Sequence, residues 1–523
     1  MVSAHAAHSV IPVVDLFAGP GGLGEGFSSV RGPHGARFRI RLSVEMERDA
    51  HQTLTLRSFF RQFGERGVGV PEDYYEFLRG KVDLSSLYRK HPRETAEAQG
   101  IARNATLGDD NPVTVDGWID SARDGREGWV LIGGPPCQAY SLAGRSRKYK
   151  NGRDDKHYLY EQYLKIISGH WPPVFVMENV AGLLSAVVAG ERMFDRILRD
   201  LSNPAKAAGA PAGGRTHAYS IYSLVTGGKY GDDRHELGDF VVRAEDFGLP
   251  QSRHRIILLG VRDDLRRVVP KKLAAGNPVR VDHVLKGLPR LRSGLSDRED
   301  SASQWIRVLR EARERRWLRS ARRRAGEGVY ERIIATLDAL CAPRQDRGSE
   351  FVECDCGVDG LALADWYLDE RMGGVCHHQT RAHMSSDLHR YLYAACFAQV
   401  RGTSPELSDF PADLLPDHVN VALALKGSYF ADRFRVQRAD RPSTTITSHI
   451  SKDGHYYIHH DPLQCRSLTV REAARLQTFP DNYFFCGGRT SKYVQVGNAV
   501  PPYLARQIAE VVLDVVAQAG LTV

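Results

Sequence analysis

The stretch GGPPCQAYS, residues 133–141, places Cys137 at the end of an apolar run and directly after two prolines. Proline fixes φ near about −65°, so Pro135 and Pro136 hold the chain stiffly just before the sulfur. A thiolate is a strong nucleophile, and the basic residues of the following QAYSLAGRSRKYK would lower the pKa of a nearby thiol. We therefore predict that Cys137 is a presented nucleophile. The alternative is a small buried cysteine in a turn.

Three charged side chains stand next to other apolar runs. Glu178 follows the run VFVM, and Arg253 and Arg255 in FGLPQSRHR alternate just before IILLG. Residues two apart in a strand point the same way, so both guanidiniums could face one ligand. Ligands of open α/β sheets bind at the rim where the carboxyl ends of the strands meet. We expect all three at that rim with Cys137, although solvated charge would explain either arginine alone.

A glycine-rich turn forms a second candidate site. Gly19, Gly21 and Gly24 make a G-x-G-x-x-G pattern between an apolar run and a helical one, and Glu45 follows 21 residues after Gly24. Glycines let the backbone turn sharply and approach a ligand closely, and an acid at this distance binds the ribose of an adenosine cofactor. The pattern suits NAD, FAD or S-adenosylmethionine alike. A turn that merely requires glycine is the alternative.

The elements that would position these residues are short apolar runs separated by helical patterns. The runs are IPVVDLF, RIRLSVEM, VLIGG, VFVMENV and RIILLGV. This alternation predicts an α/β fold with a doubly wound, mostly parallel, Rossmann-like sheet. Residues 57–106 are charged and poorly periodic, which indicates a helical surface insertion. At the other end, Leu504, Ile508, Val511 and Val515 have the spacing of a core-facing C-terminal helix.

After about residue 265 the composition changes. Residues 300–340 are rich in arginine, as in REARERRWLRSARRRAG, and carry almost no strand signal. Trp305, Leu309 and Ala312 would share one face of a helix there. We expect strands and helices to alternate again only near Arg441.

The composition is that of a soluble globular protein, with 523 residues, 42% of them hydrophobic and 26% charged. No apolar run approaches the roughly 20 residues of a spanning helix, and the first ten residues lack the features of a secretory signal. We therefore expect a cytoplasmic protein. Eight unevenly spaced cysteines predict no disulfide framework. The net charge of +8 favours a polyanionic partner.

Taken together, several segments resemble the motifs of the DNA cytosine-5 methyltransferases of bacterial restriction-modification and defence systems. In chain order they are DLFAGPGG, GGPPCQAYS, MENV, QSRHR, RPSTTIT, REAARLQTFPD and QVGNAVPP, within residues 11–265 and 440–515. The resemblance implies an S-adenosylmethionine-dependent methyltransferase domain formed by residues 1–265. Residues 266–439 would be a target-recognition insert, and residues 440–523 would return to the catalytic domain and end in a helix.

The resemblance also implies catalytic roles. Cys137 would attack C6 of a cytosine extruded from the duplex, at a cost of a few kcal/mol for unstacking. Glu178 would hold the N3 and amino edge of the base. Arg255 would contact the base O2, with Arg253 nearby. The activated C5 would take a methyl group from S-adenosylmethionine, leaving S-adenosylhomocysteine, and no metal is expected.

For the cofactor, the resemblance places Phe17 near the adenine, Glu45 on the ribose and the segment Gly19 to Gly22 along the methionine portion. Asp109 would meet the adenine amino group, with Asp110 as a rival, because the insertion at 57–106 blurs the alignment of this motif. Met46 stands where the family often has tryptophan. The cofactor-binding residues expected on this basis are Phe17, Gly19, Gly22, Glu45, Met46, Asp109, Pro135, Asn498 and Val500.

The insert allows two further readings. Its arginine content suits a surface that contacts DNA phosphates, but a solvated basic helix that serves stability or a protein partner would look the same. A group of cysteines and histidines invites zinc, yet it lacks the paired C-x-x-C spacing of a structural site, so we expect none. The members of that group are Cys354, Cys356, Cys376, His377, His378 and His383.

We expect double-stranded DNA as the partner, with a cognate restriction endonuclease or defence proteins as further ones, and a monomer associated with the bacterial nucleoid. The enzymatic alternative is an RNA cytosine-5 methyltransferase, which the large arginine-rich insert disfavours. A catalytically silent DNA-binding member is disfavoured by the intact Cys137, Glu178 and arginine motif. A nicotinamide dehydrogenase would leave the PPC, ENV and QSRHR segments unexplained. The recognised DNA sequence cannot be deduced from the insert.

Overall fold

The computed structural model describes residues 10–136, 158–188, 190–209, 216–232, 236–265, 268–417, 421 and 431–521. The chain forms two compact units. The first comprises Met1–Val70, Tyr88–Asn277 and Ala499–Val523, and the second comprises Pro71–Leu87 and Pro278–Asn498. Residues 440–498 therefore belong to the second unit. The functional division into catalytic and target-recognition parts stays a prediction.

The strands are short, and most of them belong to the first unit. In chain order they are β1 (Val10–Leu16), β2 (Arg37–Glu45), β3 (Ala102–Asn104), β4 (Val130–Gly133), β5 (Val174–Val180), β6 (Val187–Val188), β7 (Glu191–Arg192), β8 (Tyr219–Ser223), β9 (Val241–Arg243), β10 (Gln251–Ser252), β11 (His254–Arg262), β12 (Gly294–Leu295), β13 (Gly348–Glu353), β14 (Gly374–Gln379), β15 (Ala382–His383) and β16 (Ser443–Thr444).

The α-helices up to residue 401 are α1 (Gly22–Ser29), α2 (Arg48–Glu65), α3 (Glu72–Leu78), α4 (Leu84–Lys90), α5 (Pro92–Ile101), α6 (Pro112–Arg123), α7 (Tyr158–His170), α8 (Met193–Ser202), α9 (Pro204–Ala207), α10 (Val281–Leu285), α11 (Ala302–Arg310), α12 (Arg316–Ala325), α13 (Glu327–Asp338), α14 (Ala364–Tyr367) and α15 (Ser385–Arg401). Later helices are Val470–Leu476, Arg489–Asn498 and the C-terminal helix Pro502–Gln518. Short 3-10 helices are Pro33–Gly35, Ala181–Ser185, Leu237–Phe240, Ala244–Asp246, Glu311–Glu314, Glu370–Met372, Leu407–Asp409, Ala412–Leu414, Ser448–Ser451 and His455–Tyr457.

The first unit is built on one sheet with the strand order β3-β2-β1-β4-β5-β11-β8, and β9 also pairs with β11. Strands β1 to β5 of this sheet pair in parallel. Strand β11 is antiparallel to β5, β8 and β9. Strand β1 lies inside the sheet, with β2 and β3 added on one side of it and β4 and β5 on the other. A topological switch point therefore lies between β1 and β4. The predicted mostly parallel, doubly wound, Rossmann-like sheet is confirmed.

Helices cover both faces of this sheet, which explains why β1, β4 and β5 are apolar and buried along most of their length. One face packs against α1 and the C-terminal helix, and the other against α6, α7 and α8. Leu504, Ile508, Val511 and Val515 are at most 8% exposed, so the predicted core-facing C-terminal helix is confirmed.

Residues 57–106 are largely helical, as predicted, but they do not form only a surface. Phe59 and Phe63 of α2 are buried, with their ring centroids 5.2 Å apart, and both rings lie against His91. The segment then returns to the sheet as β3, a parallel edge strand that the poor periodicity did not predict.

The second unit has its own core, in which Trp305, Leu309 and Ala312 are fully buried, as the helical spacing predicted. The expectation that strands resume only near Arg441 is wrong. Strands β13 and β14 form an antiparallel pair well before that point. Among the described residues of either unit, no helix is long and apolar enough to cross a membrane.

Candidate active site

Four strand ends of the first unit meet at one rim. Leu16 at the end of β1 pairs with Val44 on one side and with Gly133 on the other, and Gly133 pairs with Met177 of β5. One step further along these strands come Phe17, Glu45, Gly134 and Glu178. Cys137 and the basic segment after it lie outside the described residues. Pro136, just beyond this rim, is the last described residue before them.

The glycine turn after β1 has an unusual backbone. Phe17 has φ of 55°, which is uncommon for a bulky residue and costs roughly 1–3 kcal/mol, so the surrounding structure must hold it there. Gly19 and Gly21 also have positive φ, at 56° and 93°. At Gly22, which begins α1, a Cβ atom would lie 2.1 Å from the carbonyl oxygen of Val500. The turn thus brings two backbones together where only glycine fits.

Glu45 fastens the end of β2 to this turn. Its Oε2 accepts a hydrogen bond from the Gly19 N–H at 2.8 Å, and its Oε1 accepts one from the Glu47 N–H at 2.8 Å. Burial raises the pKa of Glu45, and the two N–H donors oppose that shift. The neighbouring Met46 is 51% exposed, beside the carboxylate. A carboxylate fixed in this way can accept hydrogen bonds from ribose hydroxyls through its remaining lone pairs.

Asp15, inside β1, is a residue that the sequence analysis missed. It is fully buried, and its carboxylate oxygens lack a well-formed hydrogen bond among the described residues. Burial raises its pKa to about 8, Glu45 adds to the shift, and Arg61 and the nearby Gly24 N–H oppose it. A Cβ at Gly24 would lie 3.1 Å from its Oδ2, so the last glycine of the pattern leaves room for this acid. The available signal was a lone polar residue within the apolar run IPVVDLF.

Glu178 and Arg255 form an ion pair on neighbouring strands. Arg255 Nε lies 2.9 Å from Glu178 Oε1, and both side chains are mostly buried. Burial lowers the pKa of Arg255, and the Glu178 carboxylate opposes that shift. A Cβ at Gly134 would lie 2.9 Å from Glu178 Oε2, so the Gly-Gly-Pro-Pro segment passes directly over the carboxylate.

The predicted alternation in QSRHR is present. Arg253 is 2% exposed and Arg255 is half-buried, whereas His254 between them is exposed and lies 2.7 Å from Glu245. The side chains of Arg253 and Arg255 therefore point toward the protein interior, and that of His254 points toward solvent. The structure brings Arg255 to Glu178, while the role of Arg253 stays a prediction.

Asn179 is a second residue that the sequence analysis did not use. Its Nδ2 donates to the carbonyl oxygen of Pro135 at 3.2 Å, and its Oδ1 accepts from the Val180 N–H at 2.8 Å. It therefore ties the segment before Cys137 to the end of β5. The only signal in the sequence was its position directly after Glu178.

Asp109 and Asp110 are both exposed in the turn after β3. Asp110 Oδ2 accepts from the Thr106 N–H at 2.5 Å, so this side chain stabilises the turn itself. Asn104 reaches back to the rim by donating to the carbonyl oxygens of Glu45 and Met46, each at 2.9 Å. The turn that carries Asp109 is thus joined to the end of β2, while the adenine contact stays a prediction.

The two residues expected to close the cofactor pocket fall in different units. Val500 is buried against α1 in the first unit. Asn498 is exposed and is the last residue of the helix Arg489–Asn498 in the second unit.

The histidines of the cysteine and histidine group in the second unit have protein partners at their ring nitrogens, and the absence of zinc stays a prediction. Cys354 and Cys356 form a disulfide, which the uneven cysteine spacing did not predict. His377 contacts Glu350 and the Phe485 N–H. His378 contacts Thr469 and the Pro289 carbonyl. The ring nitrogens of His383 meet Ser467 and Tyr391. Each of these rings thus has a hydrogen-bond partner at both nitrogens.

Comparison with known proteins identifies the class that this fold and rim define. The chain matches the family described as C-5 cytosine-specific DNA methylase over residues 124–204 and 240–514, and it belongs to that family. It is therefore an enzyme of the DNA (cytosine-5-)-methyltransferase class.

Two relatives identified by sequence agree with this membership, and one solved structure shows a similarity only. The type II methyltransferase M.Bpa9945I of Bacillus paralicheniformis is 32% identical over 96% of this chain and 99% of its own length. The type II methyltransferase M.AgeI of Thalassovita gelatinovora is 26% identical over 95% of this chain and 98% of its own. A prophage protein of Escherichia coli described as a DNA modification methyltransferase has a solved structure with 18% identity and a TM-score of 0.49, covering 97% of this chain and 99% of its own.

Proposed function

We propose that the protein transfers a methyl group from S-adenosylmethionine to C5 of a cytosine extruded from a specific duplex DNA sequence, through a covalent bond between Cys137 and C6. The observation that carries this proposal is the rim itself. The half-buried Glu178–Arg255 pair lies next to the Gly-Gly-Pro-Pro segment that leads into Cys137, so close that a Cβ at Gly134 would lie 2.9 Å from Glu178 Oε2.

In this proposal Cys137 supplies the electron pair. Its thiolate attacks C6, the ring loses its aromaticity, and C5 becomes nucleophilic enough to take a methyl group. A base then removes the proton from C5, and the electrons return to expel the Cys137 thiolate. Asn179, which holds the Pro135 carbonyl, would keep the sulfur in register with the base.

Glu178 and Arg255 would handle the charge that this attack creates. A carboxyl group at N3 and the amino group shares a proton with the ring, so negative charge need not build up on the pyrimidine. Arg255, already 2.9 Å from that carboxylate, would reach the O2 side of the same ring and stabilise the intermediate electrostatically.

The glycine turn fits an adenosine-bearing methyl donor, which supplies an electrophilic methyl group when bound. Glu45 is fixed by two N–H donors and can accept hydrogen bonds from ribose hydroxyls. At Gly22 a Cβ would lie 2.1 Å from the carbonyl oxygen of Val500, so only glycine lets the turn pack against that backbone. Asp15, whose pKa is raised to about 8 by burial, would keep a neutral acid beneath the turn. We assign Phe17, Met46, Asp109 and Asn498 to the same cofactor from the motifs alone.

We further propose that the enzyme protects host DNA in a restriction-modification or related defence system, working in the bacterial cytoplasm. The support is that the relatives matched along nearly their whole length are type II methyltransferases. A cognate endonuclease would then recognise the same sequence.

The covalent step is tested by trapping. Duplex DNA in which cytosine is replaced by 5-fluorocytosine cannot lose a proton from C5, so incubation with S-adenosylmethionine should leave DNA bonded to the protein. Peptide mass spectrometry should place the adduct on Cys137. Cys137→Ser should form no adduct and still bind S-adenosylhomocysteine, whereas Cys341→Ser, at an exposed free cysteine, should behave as wild type. An adduct on another cysteine would refute the assignment.

The RNA alternative is tested by measuring methyl transfer to unmodified transfer RNA and to unmodified duplex DNA. Methylation of transfer RNA and not of duplex DNA under matched conditions would replace DNA by RNA as the substrate, while leaving the role of Cys137 intact.

A further inference from the structure

An arginine-rich cleft lies at the β3 edge of the sheet in the first unit, and none of the roles proposed above uses it. Its volume is about 620 Å³. Five arginines but only two carboxylates, Glu65 and Glu97, line it. Its walls come from β2, α2, α5, β3 and α6, so it is built largely from the insertion at 57–106 that the catalytic motifs leave unexplained.

A β-bulge lies at one of these arginines. Along β1 and β2, Val13 pairs with Ile40 but Val14 pairs with Leu42, so Arg41 is the extra residue. Bulges re-aim side chains and occur preferentially at sheet edges and functional sites. The pairing of β2 with β3 begins only at Ser43, which leaves the β3 side of Arg41 open to the cleft.

The two lining carboxylates already have arginine partners. Glu65 is 2.5 Å from Arg39, and Glu97 is 2.6 Å from Arg66. Burial raises the pKa of Glu65, and Arg39 together with the more distant Arg61, Arg37 and Arg41 opposes that shift. The positive charge of the cleft therefore exceeds what its own acids neutralise.

Arg41 and Arg103 carry that excess. Both are half-buried, and in the described part of the chain neither has a carboxylate within the 4.0 Å of an ion pair. Arg93 stands at the mouth, 76% exposed and 3.6 Å from Glu97. A cation that is partly removed from water without a counter-ion is costly, and a bound anion would remove that cost.

The floor of the cleft carries two half-buried apolar side chains, Trp118 and Ile101. Arg103 lies over Trp118, with its Cζ 5.2 Å from the ring centroid, while the neighbouring Leu42 and Ala122 are almost fully buried. A guanidinium plane binds phosphate oxygens through paired N–H donors and also stacks on a nucleobase. The volume suits a small molecule, and guanidiniums recessed in a cleft suit a compact anion better than the broad backbone of a duplex.

We propose that this cleft is a binding site for a nucleoside phosphate, with the phosphates on Arg41 and Arg103 and the base against the apolar floor. The site is separate from the glycine turn and does not depend on the role proposed for Cys137.

Calorimetric titration of the full-length protein with ADP tests the proposal. The titration is made with saturating S-adenosylhomocysteine, so that the cofactor site cannot take the nucleotide. We expect ADP to bind, and Arg41→Gln/Arg103→Gln to weaken it at least about tenfold. Arg192→Gln removes an exposed arginine outside the cleft and should leave the affinity unchanged. Pyrophosphate should compete with ADP but bind more weakly, because it lacks the base.

Several results would overturn the proposal. They are no ADP binding at millimolar concentration, equal weakening by Arg192→Gln, equal affinity for pyrophosphate and ADP, or a loss of duplex DNA affinity in the double variant without any ADP binding. The single variant Arg41→Gln should weaken ADP in the same direction if the double variant fails to fold. Methyl transfer measured without nucleotide should be unchanged in the cleft variants, so failure of this site is distinguishable from failure of catalysis.

Discussion

Glu178 is half-buried near the end of β5, where it forms an ion pair with Arg255. Its carboxylate is held on one side by Arg255 at 2.9 Å and covered on the other by Gly134. Such an arrangement holds the carboxylate in place before any base arrives, and in the proposed mechanism this positioning would lower the barrier to proton sharing.

Replacing Glu178 by glutamine should leave the shape of the rim intact and remove proton sharing. We expect kcat to fall at least about 100-fold, the usual contribution of a positioned acid or base. S-adenosylhomocysteine binding should be unchanged. Glu191→Gln provides the matched control, because Glu191 is also ion-paired with an arginine but is exposed. A variant that retains most of its kcat would contradict the role assigned to Glu178.

Asp15 predicts a pH effect on stability. Its folded-state pKa is raised from 3.8 to about 8 by burial, so the native protein keeps a proton that the unfolded chain loses in this range. The contribution of Asp15 to the free energy of unfolding therefore declines as pH rises from about 4 to about 8. Asp15→Asn should abolish this decline, so that its melting temperature relative to wild type is higher at pH 8 than at pH 5.

The control for this measurement is Asp195→Asn in α8, where the side chain is 41% exposed and lies 3.5 Å from Arg192. Its melting temperature should follow the wild-type pH dependence. An Asp15→Asn protein with the same pH dependence as wild type would show that Asp15 ionises normally in the folded state.

Among the elements, β1, α1 and the C-terminal helix together shape the glycine turn that follows β1. Gly22 meets the backbone of Val500, and at Gly26 a Cβ would lie 2.4 Å from the Cβ of Ala505. Two glycines four residues apart thus let α1 lie directly on the chain that begins the C-terminal helix.

Gly22→Ala should force these two segments apart. We expect an affinity for S-adenosylhomocysteine at least about tenfold weaker, and a loss of roughly 1–3 kcal/mol of unfolding free energy from overpacking. Gly117→Ala in α6 is the control, because nothing lies within 4 Å of its added Cβ. It should gain about 1 kcal/mol in helix stability. Equal binding by the two variants would contradict the proposed turn.

The same elements show what the sequence could predict. Strands β1 and β2 were predictable as short apolar runs, and α1 was predictable from the glycine turn before it. The C-terminal helix was predictable because its apolar residues repeat with the period of a helix. β3 was not, since its three residues are held by their neighbour β2 and by α2 and α5 rather than by their own pattern. The β13–β14 pair was missed for a similar reason, because the segment that contains it carries little alternation.

At the site, chemistry-bearing residue types were easier to predict than their supports. Glu178, Arg255 and Glu45 stand out by type and spacing. Asp15 and Asn179 act through buried or backbone contacts, with the Gly24 position and the Pro135 carbonyl, that only the folded chain brings together. The Cys354–Cys356 disulfide likewise depends on the local path of the chain and not on spacing.

For the whole molecule, the net charge of +8 favours an anionic partner such as DNA. Helix α12 of the second unit buries Trp317 and Leu318 and exposes Arg316, Arg319 and Arg323. This division fits a helix anchored by its apolar side that presents cations to phosphates, as we propose for the target-recognition region.

Replacing Arg316, Arg319 and Arg323 together by glutamine should weaken DNA binding uniformly across sequences. Each lost phosphate contact lowers the slope of log K against log salt by about 0.9, so the triple variant should lose roughly 2–3 in slope. Arg192→Gln/Arg196→Gln/Arg199→Gln, with Arg192 just before α8 and Arg196 and Arg199 within it, removes the same charge and should change the slope little. Equal slopes for the two variants would refute the proposal for α12.

The measurement that tests the central claim most directly is nucleoside analysis by mass spectrometry of duplex DNA of mixed sequence after incubation with the purified protein and S-adenosylmethionine. We predict 5-methylcytosine, formed by the wild type and absent with Cys137→Ser. N4-methylcytosine or N6-methyladenine, or 5-methylcytosine formed equally by Cys137→Ser, would contradict the account.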